Sequence, residues 1–265
     1  PTARPGDPAP TDAGGPGLGL KWNMGGMNDT LRYLGEDPMH RGSHHHNLTF
    51  SLMYAFSEQY ILPLSHDEVV HGKGSLWERM PGDDWRKAAG VRALLALQWT
   101  HPGKQLLFMG CEFAQRAEWS EARSLDWGHL DNDGHRGVLN LVRDLNALYR
   151  GTPALYERDT VREGFTWING DDAGRSVIAF LRHDDHGNEV AVAINMSGRT
   201  YSGDRRDRPR GGTWDEVLNS DAETYGGAGA GNVGSVEAVE EPGSRWGQVG
   251  YLTLPALGAI VLRPR

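Results

Sequence analysis

Cysteine occurs once in the 265 residues, at Cys111. A single thiol closes no intramolecular disulfide, which excludes a disulfide-stapled fold and fits a reducing compartment. No apolar run reaches membrane-spanning length, and the N-terminal residues carry no basic stretch followed by an apolar one. A soluble, cytoplasmic protein is therefore expected. Long basic tracts are missing too: 27 Lys and Arg stand against 35 Asp and Glu, a net charge of −8. Nucleic acid is not an expected partner. The one locally basic segment, GDRRDRPRGG at Gly203–Gly212, is broken by Asp, Pro and Gly and reads as a solvated loop. An initiator Met is also missing, so a piece of a longer polypeptide is expected.

Residues 1–17, rich in Pro, Gly and Ala, read as a linker or loop. From residue 18 to 152 the chain alternates buried strands with helices. Leu18–Met24 and Ile61–Ser65 read as strands, and Gln105–Met109 as a strand buried on both faces. Leu48, Leu52, Ala55 and Phe56 predict a helix near 48–57, with Asn47 as its cap. Asp83 or Asp84 caps a second, running to Thr100 with a stripe of Ala88, Val91, Leu95 and Trp99. A third, from Arg136 to Arg150, turns Val138, Leu141, Val142, Leu145 and Leu148 inward and stops at Gly151 and Pro153. Such strand–helix units pair in parallel through right-handed crossovers. Three do not close a barrel, which takes eight units and about 250 residues.

From residue 153 onward helical periodicity gives way to short β-rich runs at Phe165–Ile168, Val177–Leu181 and Val190–Ile194. A turn at His183–Glu189 and late strands at Tyr251–Leu254 and Ala259–Leu262 complete the pattern. The expectation is a separate antiparallel β-sandwich, residues 153–265. The fold class is thus α/β plus all-β.

The polar groups gather where one strand stops. ILPLSHDEVVHGK, Ile61–Lys73, passes from an apolar run to Ser65, His66, Asp67, Glu68, His71 and Lys73. A strand held by the core can present such groups to a cleft, although a solvated loop is the commoner reason for the pattern.

LPLSHDEVVHGKGSL resembles a segment of the 1,4-α-glucan branching enzymes, in the α-amylase superfamily of retaining glycosidases and transglycosidases. Blocks similar to that family continue in its order: LKWNMGGMNDTLRYLGEDPMHR (Leu20–Arg41), LTFSLMYAFSE (Leu48–Glu58), MPGDDWRKA (Met80–Ala88), QWTHPGKQLLFMGCEFAQ (Gln98–Gln115), EWSEARSLDW (Glu118–Trp127), LVRDLNALYRGTPALYERD (Leu141–Asp159), LNSDAETYGG (Leu218–Gly227) and LTLPALGAIVLRP (Leu252–Pro264). The resemblance implies that residues 18–152 are units six to eight of a (β/α)₈ TIM barrel, followed by the superfamily's C-terminal β-domain.

Retaining exchange of a glycosidic bond needs a nucleophilic carboxylate and an acid about 5–5.5 Å apart. The resemblance places both on barrel strands four and five, outside this sequence. It implies that Asp67 is the third carboxylate, stabilising the transition state, and that His66 bonds the same sugar. Trp22, Asn23, His71, Lys73, Glu112, Trp119 and Trp127 are expected substrate contacts. For the Trp residues core packing is the competing reading. Glu68 is not assigned as the acid, because neighbouring side chains on a strand diverge. Cys111 reads as a buried hydrophobe rather than a nucleophile. His44-His45-His46 are adjacent and do not converge, so no metal is expected, and no cofactor is implied. Gly26, Asn28 and Cys111 depart from the residues common in the family. The expected partner is an α-glucan such as glycogen or amylose, and the parent a monomer. A trehalose-releasing or debranching hydrolase, and a catalytically incomplete glucan-binding fragment, are the alternatives.

Overall fold

The computed structural model describes residues 19–265, so the stretch read as a linker, 1–17, lies outside the described residues. Strands β1 (Lys21–Trp22), β2 (Tyr60–Leu64) and β3 (Lys104–Leu107) form a parallel sheet in that order. Pro63 is tolerated in the middle strand for a local reason. Ile61 O accepts the Asn23 N–H from the β1 side. Pro63 faces the same side two residues on, where β1 has ended and no N–H is needed. β3 was expected to be buried on both faces. Instead all four of its residues keep partial exposure, because it is an edge strand of this sheet.

Between β1 and β2 run α1 (Met24–Gly35), α2 (His45–Thr49) and α3 (Ser51–Tyr54). No helix was expected at α1, whose start is diluted by Gly25, Gly26, Asn28 and Asp29, although Met24, Met27, Leu31 and Leu34 recur at helical spacing. A Cβ on Gly26 would lie 2.8 Å from Ser51 Cβ, so the glycine lets α1 lie close against α3. The single helix expected at 48–57 is two short ones, and Asn47 is buried inside α2 instead of capping it.

Helices α4 (Leu76–Arg79) and α5 (Asp84–Thr100) follow β2. Asp83 caps α5, its carboxylate accepting the Arg86 N–H at 2.9 Å. Asp83→Ala is expected to lower stability by about 1 kcal/mol, read as a lower urea midpoint at unchanged slope. α5 has no exposed face over Ala88–Thr100, where a single apolar stripe was expected. It is wedged between the parallel sheet and the C-terminal sheet. Helix α6 (Asp133–Gly151) does have one inner face, with Val138, Leu141, Val142 and Leu145 buried.

The C-terminal part is one continuous eight-stranded sheet, ordered β4 (Phe165–Asp172), β5 (Val177–His183), β6 (Glu189–Asn195), β11 (Gly258–Pro264), β8 (Gly212–Asn219), β9 (Ser235–Glu240), β10 (Gln248–Leu254), β7 (Tyr201–Arg208). Every pairing is antiparallel. Two stacked sheets were expected; here a single sheet curls round its own interior of Val177, Ala179, Ala193, Trp214, Leu252 and Ile260. The alternate residues Ile178, Phe180, Val192, Ile194 and Val261 pack outward on the helices.

The segment read as a solvated loop is largely β7. Asp204, Arg206 and Arg208 point inward and are buried. β4 and β7 are the two ends of the sheet, and charge joins them there: Arg206 reaches Asp172 at 3.0 Å and Arg175 reaches Asp204 at 2.6 Å. Burial works to raise the Asp172 carboxyl, but hydrogen bonds from Arg175 and Arg206 overcome it and hold the group below the usual carboxylate range.

Three buried arginines tie the helical part to the sheet. Arg41 donates to Met196 O at 2.7 Å, Arg92 to Ser220 O at 2.9 Å and Arg182 to Thr100 O at 2.8 Å. Among the described residues no helix is long and apolar enough to cross a membrane.

Candidate functional site

The three parallel strands stop at one rim, their carboxyl ends, which is where open α/β sheets present side chains to ligands. β2 ends at Leu64, and a short 3₁₀ turn, His66–Glu68, follows at once. That turn projects His66 and Asp67 outward, with side-chain exposures of 54% and 50%, and their Nε2–Oδ1 distance is 3.1 Å. Glu68 goes the other way. It is buried, and Lys73 and Arg79 each lie 3.7 Å from its carboxylate. It braces the loop and does not face the rim.

The loop after β3 closes over the loop after β2. Ser75 Oγ donates to Arg116 O at 2.7 Å, Trp119 N to Val69 O at 2.9 Å and Gly74 N to a Glu118 carboxylate oxygen at 2.7 Å. An aromatic row results: Trp119 packs edge-on to Phe108 at 5.2 Å, and Phe108 lies 5.9 Å from His66. Phe108 and Glu118 are therefore part of this rim. No spacing in the sequence singles them out, since Phe108 reads as strand interior and Glu118 as one acid of a polar loop.

The other expected contacts divide. Trp119 and Lys73 lie beside the His66–Asp67 turn through the bonds just given. Lys73 is half exposed. His71 is exposed and holds a left-handed backbone, φ 58°, in the tight turn between them. Trp127 is exposed and packs on Phe113 at 5.0 Å, farther along the same loop. Glu112 is half-buried in the 3₁₀ turn that carries Cys111. Trp22 is 39% exposed on β1, beside Ile61 of β2. Asn23 is buried, and its Oδ1 accepts from Gly26 N at 2.9 Å and Tyr54 OH at 3.1 Å, so it caps α1 instead of lining the rim.

Cys111 is buried, and burial, with Glu112 adding to it, pushes its thiol up to about 12. No thiolate is available near neutral pH. The three adjacent histidines diverge: His45 is buried on Gly170 O at 2.8 Å, while His46 is exposed. Among the described residues no group of three or more His, Cys, Asp or Glu side chains is placed to hold a metal ion.

The rim therefore offers a half-exposed carboxylate, an imidazole and a flanking aromatic row. It can bind and polarise a hydroxylated ligand.

Residues 167–265 match the family described as alpha amylase, C-terminal all-beta domain. Over its full length the chain is 54% identical to the 1,4-alpha-glucan branching enzyme GlgB of Mycolicibacterium paratuberculosis, covering 36% of that protein. It is 55% identical over 262 residues to GlgB of Leifsonia xyli subsp. xyli, again covering 36% of it. With GlgB of Nocardia farcinica it shares 57% over 241 residues, covering 91% of the chain and 32% of the relative. The chain thus spans about a third of the length of the relatives it matches. Among solved structures it resembles an alpha-amylase from H. orenii, with a TM-score of 0.58 at 19% identity over 97% of this chain and 51% of that one. A debranching enzyme from Nostoc punctiforme gives a TM-score of 0.62 at 16% identity, over 93% and 48%. At such identities these two likenesses speak for the fold alone.

Proposed function

We infer, from kinship with the 1,4-alpha-glucan branching enzymes of the alpha-amylase superfamily that runs through all 265 residues, that this chain supplies part of a glucan-branching active site. Residues 18–152 would be barrel units six to eight, and residues 153–265 the C-terminal domain that packs on them. The whole enzyme would cut an α-1,4-glucan and rejoin the segment to a 6-hydroxyl, making an α-1,6 branch in glycogen. Asp67 is the third carboxylate of that site and His66 its neighbour on the same sugar. The nucleophile and the acid would come from strands outside this sequence.

The observation that carries the reading is the His66–Asp67 turn, held open at the carboxyl end of the middle parallel strand. A fixed negative charge there, with the His66 imidazole 3.1 Å away, favours an oxocarbenium-like transition state without reorganising. Trp119 and Trp127 offer faces on which sugar rings stack. A cytoplasmic setting goes with glycogen as substrate and with the lone cysteine.

Product analysis tests the reading. The 265-residue chain alone is expected to show no turnover of amylose. Joined to the remaining length of its relatives, it is expected to lower iodine absorbance and create α-1,6 anomeric signals by NMR. Released trehalose or shortened linear chains in place of new branches would assign it to another activity of the superfamily. Turnover by the chain alone would refute the division of the site.

A further inference from the structure

His135 is the third residue of α6, fully buried, and has no role in the site described above. Its imidazole is held on every side. Trp77 of α4 stacks on one face at 4.3 Å and His129 on the other at 4.8 Å. Arg116, from the loop after β3, lies on the same Trp77 ring and directs Nε to His135 Nε2 at 3.2 Å. Phe113 O sits 3.0 Å from His135 Nδ1.

These partners determine the proton's place. Arginine Nε–H can only donate, so His135 Nε2 is the acceptor and carries no hydrogen. The hydrogen is then on Nδ1 and is donated to Phe113 O. The ring is neutral, and both bonds end on the rim loop. Protonation at Nε2 would set two donors and two cations against each other. The charged groups around it offer little relief: Asp84, from the start of α5, is already paired to Arg116 at 2.5 Å, and Asp126 faces His129 at 3.8 Å.

We propose that His135 is a positioning residue for the sugar-facing rim, its neutral imidazole fixing Phe113 and Arg116 so that Trp119 stands beside the His66–Asp67 turn and Trp127 is held farther along the same loop. Phe113 carries the Trp127 ring. Arg116 O is bonded to Ser75, and Trp119, three residues on, is bonded to Val69. Loss of the His135 bonds therefore reaches both tryptophans. That these face a glucan rests on the function proposed above; that His135 orders the loop does not.

Burial, with His129 and Arg116 adding to it, draws the His135 pKa below its ordinary 6.5. A group depressed in the folded state binds more protons when released. The ordered loop is therefore fully favoured above 6.5 and loses stability as pH falls below it.

The test uses the 265-residue chain. ¹⁵N-histidine NMR should show His135 as the Nδ1–H tautomer at pH 7.5, and tryptophan fluorescence should change in a transition below pH 6.5. In His135→Gln, an amide can still donate to Phe113 O and accept from Arg116 but does not titrate, so that transition should disappear. Subtracting the two titrations removes the effect of His101, another buried histidine, drawn down to about 4 by burial. Arg116→Gln, which keeps His135 itself, should raise its NMR midpoint. The opposite tautomer, a transition that survives in His135→Gln, or an unmoved midpoint in Arg116→Gln overturns the inference. Maltoheptaose binding, followed in parallel, separates the two readings. Affinity that falls with the fluorescence transition supports the inference. Absence of binding at every pH, with the loop transition intact, counts against the glucan reading alone.

Discussion

Asp67→Asn, made in a polypeptide that also carries the nucleophile and acid strands, is expected to lower kcat by roughly 10²–10³-fold and to leave the fold unchanged. The size follows from what the residue would do. Removing one preorganised electrostatic stabiliser from a site that excludes water costs about 2.7–4 kcal/mol of barrier. Asparagine keeps the shape and one acceptor, so ground-state sugar contacts and KM should move little. The folded state loses almost nothing. Among the described residues Asp67 pairs with His66, at 3.1 Å with both side chains about half exposed, and exposed pairs contribute about 0–1 kcal/mol. The discriminating result is a large fall in kcat with an unchanged thermal midpoint. A kcat within threefold of the parent would remove Asp67 from the reaction, and a lowered midpoint would make it a structural residue.

The second large effect concerns stability. Arg182 is fully buried, and one guanidinium serves three acceptors: Thr100 O at the end of α5, Gly164 O before β4 and Asp159 at 2.6 Å. Burial draws the guanidinium below its ordinary value, and Asp159 opposes this. Arg182→Met keeps most of the volume and removes the donors. Breaking a buried pair from one side costs about 3–5 kcal/mol, because the partner stays buried and charged. Here the low end, about 3 kcal/mol, is expected, since Lys104 still contacts the other Asp159 oxygen at 2.8 Å. The check is the urea midpoint at unchanged slope. Arg182→Met with Asp159→Asn should recover part of the loss, which separates the orphaned carboxylate from lost packing. A loss under 1 kcal/mol in the single variant would mean that the bonds across this junction contribute little.

Charge read from sequence misleads in this chain in a consistent way. GDRRDR looks solvated because Asp and Arg are seldom buried. In β7 they alternate inward and meet Asp172 and Arg175 across the two ends of the curled sheet. Burial alternates there as in a half-buried strand, but Arg205 and Asp207 on the other side are charged too, so hydropathy carries no strand period. The same error, in a milder form, concerns Asn23. Its place after a strand suggested a ligand contact, but α1, which was not expected there, takes its side chain as a cap.

Other features were legible from local chemistry. The Asp83 cap, the periodic face of α6, the stop at Gly151 and Pro153, and the β5–β6 hairpin about its Asp-Asp-His-Gly-Asn turn all depend on neighbours within a few residues. Short-range steric and hydrogen-bond preferences act before the chain folds, so they are written in the order of residues. The His66–Asp67 turn belongs with these, as an apolar strand giving way to acid and imidazole. What surrounds that turn was decided only in three dimensions. Phe108, Trp119 and Glu118 come to it from about forty to fifty positions away, and His135 acts on the rim from farther still. Such contacts depend on which loops the parallel pairing of β2 and β3 brings to one edge, and no local spacing encodes that pairing.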